Sequence, residues 1–283
     1  MKKIDYKNFN NTHIFYIFIF LTYCFLLITQ NIVPFEFSVN NGFNDQISYF
    51  EVFNSSPGIL ENPISSIRAQ RFILSYIIGA AFHYLDLKQY YYHCYIFLNM
   101  MTHFLIIYFL IKIFETNNVD KISSLIFLLI FILNPYIFRA SLFAPLILND
   151  QLFFLGSVLL ICALVKNCSF HLFFGVILAS MSKQTSMVFV PCLLIYASHI
   201  WLFKKKELFK FNINIMISIV IILSIFYFTY EFSRSFARSA DRNILGTISG
   251  LFIYDYTFKE LLIFIIRIFV ANMYIIILFI LLF

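Results

Sequence analysis

Four short stretches of this chain carry residues that could do chemistry. Asn44-Asp45-Gln46-Ile47-Ser48-Tyr49 sets an acid and a phenol four residues apart in a polar stretch. Arg71-Phe72-Ile73-Leu74-Ser75-Tyr76 opens an apolar run with an arginine. Leu146-Ile147-Leu148-Asn149-Asp150-Gln151 opens another with an acid, and Ala179-Ser180-Met181-Ser182-Lys183-Gln184-Thr185 sets a lysine between two apolar runs. Each of the first three has an ordinary explanation. A loop aspartate is solvated or holds a turn, an arginine beside an apolar run snorkels to the interface, and an aspartate at a helix start caps it. Lys183 is harder to dismiss, because a lysine between membrane segments must line a polar cavity or meet a partner.

What positions these residues follows from composition. The chain is 61% hydrophobic and only 12% charged, with a mean hydropathy of +0.87, where a soluble domain carries about 25% charged residues. So much apolar surface cannot be hidden inside one globule of this size, and the chain reads as an all-α polytopic membrane protein. Its net charge of +6 lies in lysines clustered between apolar runs, as in loops, which argues against nucleic acid as a partner. Cys24, Cys94, Cys162, Cys168 and Cys192 lack C-x-x-C spacing and read as packing residues rather than a disulfide frame or metal site.

The apolar run from about His13 to Val33 follows Lys2, Lys3 and Lys7 without a small-residue cleavage site, so it reads as an uncleaved first span with a cytoplasmic N-terminus. Pro34 to Arg71 is then a long external loop. Phe72 to Leu85 reaches only about 21 Å as a helix and falls short of the hydrocarbon core, so it is expected to lie as a juxtamembrane helix on the outer face. The expected crossings continue with Tyr90–Phe114, Ile122–Phe138 and Gln151–Val165. Residues His171–Phe203 must cross twice within a length too short for two full spans, which sinks the Ser182–Thr185 turn below the outer surface. Leu208–Tyr230 and an apolar Phe258–Phe283 carrying Arg267 complete about eight transmembrane helices in one domain spanning residues 1–283, with residues 34–89 as the external loop and its juxtamembrane helix. The sequence stops while still hydrophobic, as a fragment or a shortened relative would. This register places Lys112, Lys121, Lys166, Lys204–Lys206 and Lys210 inside, as the positive-inside rule requires.

The arginines behave differently. Of seven, Arg68, Arg71, Arg139, Arg234, Arg238 and Arg242 fall on the outer face. Positive charge there opposes the insertion rule. Guanidinium forks bind phosphate and carboxylate bidentately, so an anionic substrate handled outside is the implied reason.

The order of these features resembles the GT-C superfamily of polytopic glycosyltransferases, which use polyprenyl-phosphate-linked sugars at the outer membrane face. The resemblance spans about residues 10 to 200. It rests on the first-loop Asp45 followed by Tyr49, Arg71 opening the juxtamembrane helix, Asn134-Pro135 … Pro145 … Asn149-Asp150, and the Ser182-Lys183-Gln184-Thr185 turn. It implies Asp45 and Asp150 as catalytic acids or bases. It also implies Lys183 and Arg71 on the lipid phosphate; with Tyr49 and the outer-face Arg139, Arg234, Arg238 and Arg242 they make up the expected substrate-binding set. The expected partners are a polyprenyl-phosphate-linked sugar donor, a glycan or lipid acceptor of the cell envelope, and membrane lipids of the plasma (inner) membrane. The one cofactor the resemblance leaves open is a divalent metal, which some members use; here Asp45-Gln46 stands where those members have paired acids, Gln184 stands where Glu is commoner, and the spans are fewer than the class usually has.

The chemistry also holds without the family. Moving a sugar off a phosphate needs a base near the acceptor hydroxyl and cations at the departing charge. Three partners are open to Lys183: Asp45, Asp150 or a bound lipid phosphate. The phosphate is the expected one, at the mouth of a cavity also lined by Arg71. The rival functions are a transporter or flippase of an anionic or lipid-linked solute, and a polysaccharide polymerase or ligase.

Overall fold

The computed structural model describes residues 19–24, 44–58, 71–133, 144–202 and 209–236, and every regular element among them is helical. Helix α1 is Asn44–Ser55 and α2 is Phe72–Tyr84. A short 3-10 turn, Lys88–Tyr90, leads into α3, Tyr91–Thr116, and α4 is Lys121–Leu133. Then come α5, Leu148–Lys166, and α6, Ser169–Ser182. A 3-10 turn over Gln184–Val188 separates α6 from α7, Phe189–Leu202, and α8 is Phe209–Phe236.

Four of the described segments are long and apolar enough to cross a membrane: Lys88–Thr116, Leu148–Lys166, Thr185–Leu202 and Lys210–Thr229. Phe72–Tyr84, Lys121–Leu133 and Ser169–Ser182 are apolar but shorter. The molecule is therefore an all-helical membrane protein. The expected last segment, Phe258–Phe283, and all but residues 19–24 of the expected first span lie outside the described residues.

One element departs from the sequence reading. Part of the stretch read as an open external loop is the helix α1, whose Gln46, Ser48, Tyr49, Val52 and Phe53 are buried. It packs on α2 closely enough that a Cβ added at Gly79 would collide with the Phe53 carbonyl, its nearest carbons lying 2.9 Å away. The end of α1 is tied down as well: the Lys88 ammonium donates to the Asn54 and Ser56 carbonyls at 2.7 and 2.8 Å. A lysine satisfying final helical carbonyls also complements the negative end of the helix dipole.

Helices α5 and α6 form the tightest pair, an antiparallel hairpin closed by Asn167 in the left-handed conformation (φ 52°). Small residues permit the approach. A Cβ added at Gly156 would lie 2.7 Å from both the Gly175 carbonyl oxygen and the Ala179 nitrogen. Around this hairpin α3 buries Ile106, Leu110 and Phe114 with Leu155, Val158 and Leu159 of α5, while α7 and α8 pack Leu193, Ala197, Ile215 and Ile222 against Leu172 and Val176 of α6.

Polar contacts fix which ends lie together. Asn99 near the start of α3 donates to the Pro145 carbonyl, just before α5, at 2.7 Å. The ring of Phe109, further along α3, meets that of His171 at the start of α6, 5.3 Å between centroids. Tyr196 of α7 donates to the Leu164 carbonyl at 3.1 Å, and Asn214 of α8 to Ser169 Oγ at 2.6 Å. Lys112, Lys121, Lys166 and Lys210 thereby share one end of the bundle, and Arg71, Asp150 and Lys183 share the other. At the lysine end Asp120 accepts from the Ser123 amide at 2.8 Å; these hydrogen bonds hold its carboxyl below the usual range and cap α4.

Candidate functional site

The α5–α6 register brings two of the expected site residues together. Asp150 lies six residues before Gly156, about 9 Å along α5, and Lys183 lies four residues after Ala179, about 6 Å along α6. With Gly156 seated on Ala179, an acid in the first turn of one helix must face the residue that ends the other. Lys183 Nζ stands 2.7 Å from Asp150 Oδ1.

This corrects one expectation. Asp150 is not a helix cap: Ile147 holds that position, without a side-chain cap, and the carboxylate is directed to Lys183. Of the protein groups left open as partners of Lys183, the one it meets is Asp150.

Lys183 can reach the acid because α6 stops there. Its backbone is extended (φ −149°, ψ 139°), its amide still closes the last turn on the Ala179 carbonyl at 3.1 Å, and its own carbonyl accepts from the Ser186 amide at 3.1 Å to start the 3-10 turn. The side chain crosses the face of Phe153, with Nζ 5.8 Å from the ring centroid, a distance at which the ring quadrupole attracts a cation. The lysine side chain is 20% exposed and the aspartate 42%. Asp150 Oδ1 is covered, yet the ammonium does not approach it as an aligned hydrogen bond. The exposure of the carboxylate therefore belongs to its other oxygen.

Three side-chain amides hold the walls. Asn149 donates to the Arg71 carbonyl at 3.0 Å, tying the start of α5 to the start of α2. The Leu146 amide donates to Gln46 of α1 at 3.4 Å, and Asn99 pins Pro145 from α3. Val52, Phe72 and Ile73 pack with Met181 and Ile225, so α1 and α2 roof the end of α6 beside Lys183. Depth follows from α3. Gln151 hydrogen-bonds His103, which lies 12 residues, about 18 Å, beyond the first residue of α3. The acid–lysine pair is thus recessed well below the top of that helix.

The other expected residues fall as follows. Arg71 sits at the start of α2 with its Nε covered and its carbonyl on Asn149, near the pair. Tyr49 is 1% exposed, with its hydroxyl covered, on the packed face of α1, so it supports the site's wall instead of lining an opening. The backbones of Asp45 and Arg234 lie in the first turn of α1 and near the end of α8, while their side chains, like Arg139, Arg238 and Arg242 entirely, lie outside the described residues.

Beside the pair opens an apolar cleft of about 420 Å³, running between α4 and α7 over the face of α5, with Phe127, Phe153, Val158, Leu164, Phe189 and Leu193 among its walls. Phe153 and Phe189 stack at 5.7 Å at its upper end. Phe153 is therefore shared, one wall of the cleft and the platform of Lys183. Through Phe153 the site joins a cation and an acid to an apolar cleft.

No family model, curated protein or solved structure matches this chain.

A divalent metal does not fit the described part of the site. Such ions take several oxygen ligands, whereas Asp150 already faces an ammonium, and among the described residues no three His, Cys, Asp or Glu side chains cluster.

Sequence reading missed the buried polar contacts: Asn99, His103 with Tyr23 Oη at 2.8 Å, and Gln151. The signal was present. Asn and His inside an apolar helix are costly unless partnered, and Asn99 and His103 stand one turn apart in α3.

Proposed function

We propose that this protein is a membrane glycosyltransferase that moves a sugar from a polyprenyl-phosphate donor to a cell-envelope glycan or lipid acceptor at the outer face of the plasma membrane. The observation that supports the reading best is the recessed Asp150–Lys183 pair beside Arg71 at the head of an apolar cleft. The polyprenyl chain occupies the cleft and its phosphate comes to Lys183 and Arg71. The acceptor oxygen forms its bond to the anomeric carbon as the bond from that carbon to the phosphate oxygen breaks. The electron pair leaves on the phosphate, which gains a second negative charge, and the acceptor proton passes to Asp150 or Asp45. Cations held in a site sheltered from water stabilise that developing charge far more than they would in solution. No step requires a metal.

The resting ion pair at a helix break also favours a second reading, a transporter of an anionic solute, since such proteins place charges at interrupted helices. Transfer assays in proteoliposomes separate the two. With a polyprenyl-phosphate sugar and envelope extract, the enzyme reading expects labelled sugar in the acceptor fraction, lost in Asp45→Asn and in Asp150→Asn. Uptake of labelled anion by sealed vesicles without any covalent product would overturn it. The mass of the envelope glycans with and without this chain, differing by one hexose- or pentose-sized unit, identifies the sugar.

A further inference from the structure

We infer that the Asp150–Lys183 pair is a resting lock that the donor's own phosphate opens, so that the general base is freed only when donor is bound. The inference rests on the function proposed above and adds to it an order of events. Two charges needed for different tasks, one for the acceptor proton and one for the departing phosphate, neutralise each other at 2.7 Å. A carboxylate covered by an ammonium is a poor base, and an ammonium on a carboxylate is a weakened anion site.

The geometry allows exchange without unfolding. Lys183 is the junction residue between α6 and the 3-10 turn, and its carbonyl and amide bonds do not involve the side chain. Its contact with Asp150 Oδ1 is not an aligned hydrogen bond, and the aspartate side chain keeps 42% of its surface exposed. Swinging the four-carbon stem across Phe153 moves the ammonium from the acid toward the head of the cleft, with the ring face attracting it along the way. A phosphate arriving there replaces one anionic partner of Lys183 with another. The exchange therefore costs little for an anionic lipid and far more for a neutral one, which would leave Asp150 facing no cation.

The other charged residue brought near the pair among the described residues is Arg71, whose carbonyl is fixed by Asn149 one residue from Asp150. It starts α2, whose Phe72 and Ile73 pack with Met181 at the end of α6.

The lock predicts an effect opposite to that of an ordinary binding residue. Asp150→Asn removes the internal competitor of the phosphate, so this variant binds a phosphate-headed lipid more tightly although it transfers nothing. For a pair intermediate between exposed and buried, the gain is roughly three- to tenfold in Kd. The probe is dodecyl phosphate, with dodecyl maltoside as the neutral control, measured by calorimetry on the full chain in nanodiscs. A second measurement uses the native protein. Labelling of Asp150 by a hydrophobic carbodiimide, read by mass spectrometry, rises when dodecyl phosphate is added, because the ammonium no longer covers the carboxylate. Equal or weaker phosphate binding by Asp150→Asn, with labelling unchanged by the probe, would overturn the lock and leave the transferase reading standing. Failure of the native chain to prefer dodecyl phosphate over the neutral detergent would instead remove the phosphate site, and the function proposed above with it.

Discussion

Removing the ammonium of Lys183 tests the geometry most directly. The methionine of Lys183→Met keeps most of the stem volume and its packing on Phe153 but leaves Asp150 without its cation. Breaking a fully buried pair costs about 3–5 kcal/mol, and an exposed pair about 0.2–1. This pair lies between the two limits. The lysine is mostly covered, but the aspartate keeps 42% of its surface and water can partly rehydrate it. A loss of about 1.5–3 kcal/mol follows. The double variant Lys183→Met/Asp150→Asn removes both charges and should recover a large part of that loss, giving a coupling of about 1–2 kcal/mol in a double-mutant cycle. Thermal unfolding of the four proteins in one detergent, without lipid, measures it. A coupling below about 0.3 kcal/mol, or a single variant more stable than the native chain, would show that the two groups do not meet in the folded protein, and the expected phosphate partner would return in place of Asp150.

Four further outcomes are expected. Gly156→Leu should destabilise the α5–α6 hairpin by roughly 1–3 kcal/mol or more, because backbone atoms stand 2.7 Å from the new Cβ and cannot yield as a side chain could; a melting temperature equal to that of the native protein would refute the close register. Asn99→Leu should cost about 1–3 kcal/mol by leaving the Pro145 carbonyl without its donor, and should raise proteolysis between residues 144 and 150, which limited digestion reads. Asp45→Asn should abolish transfer with melting and insertion unchanged; near-native product would make Asp45 a helix-start residue and no more. Cysteine labelling of intact cells from outside should modify Ser55→Cys and spare Lys205→Cys, and labelling at position 205 would invert the orientation on which an outer-face site depends.

The all-helical membrane character and the bounds of several helices were legible in the sequence because apolar runs follow from hydrophobicity alone. Expected Phe72–Leu85 and observed Phe72–Tyr84 differ by one residue, and a break at Ser182–Thr185 was expected because the lysines on either side of His171–Phe203 had to share one face. Helix α1 escaped because its apolar positions are few and sit among polar neighbours; what makes it a helix is the α2 surface it covers and the Lys88 cap at its end. Single-sequence periodicity carries no information about such a partner. Tyr49 illustrates the cost. As a residue of an open loop it was a candidate substrate contact, but as an inward position of α1 it is buried.

The partner of Lys183 was undecidable for a related reason. Asp150 and Asp45, the two acids offered for it, are both distant in sequence, and the register of α5 against α6 brings Asp150 to the lysine. That register is set by Gly156, Gly175 and Ala179, residues without any chemistry of their own. One helical turn of slip, about 5.4 Å, would carry the acid past the lysine and leave a partly covered charge of each sign unpaired. The small residues and the charged pair therefore reinforce one another. Close packing places the charges in contact, and their mutual neutralisation penalises the slipped alternatives. The same logic explains why the charges sit at the end of the hairpin and not at its middle. At the Gly156–Gly175 contact the backbones leave no room for a lysine stem, whereas past the last turn of α6 the chain turns away, and the space it vacates is where Phe153, Lys183 and the head of the cleft meet.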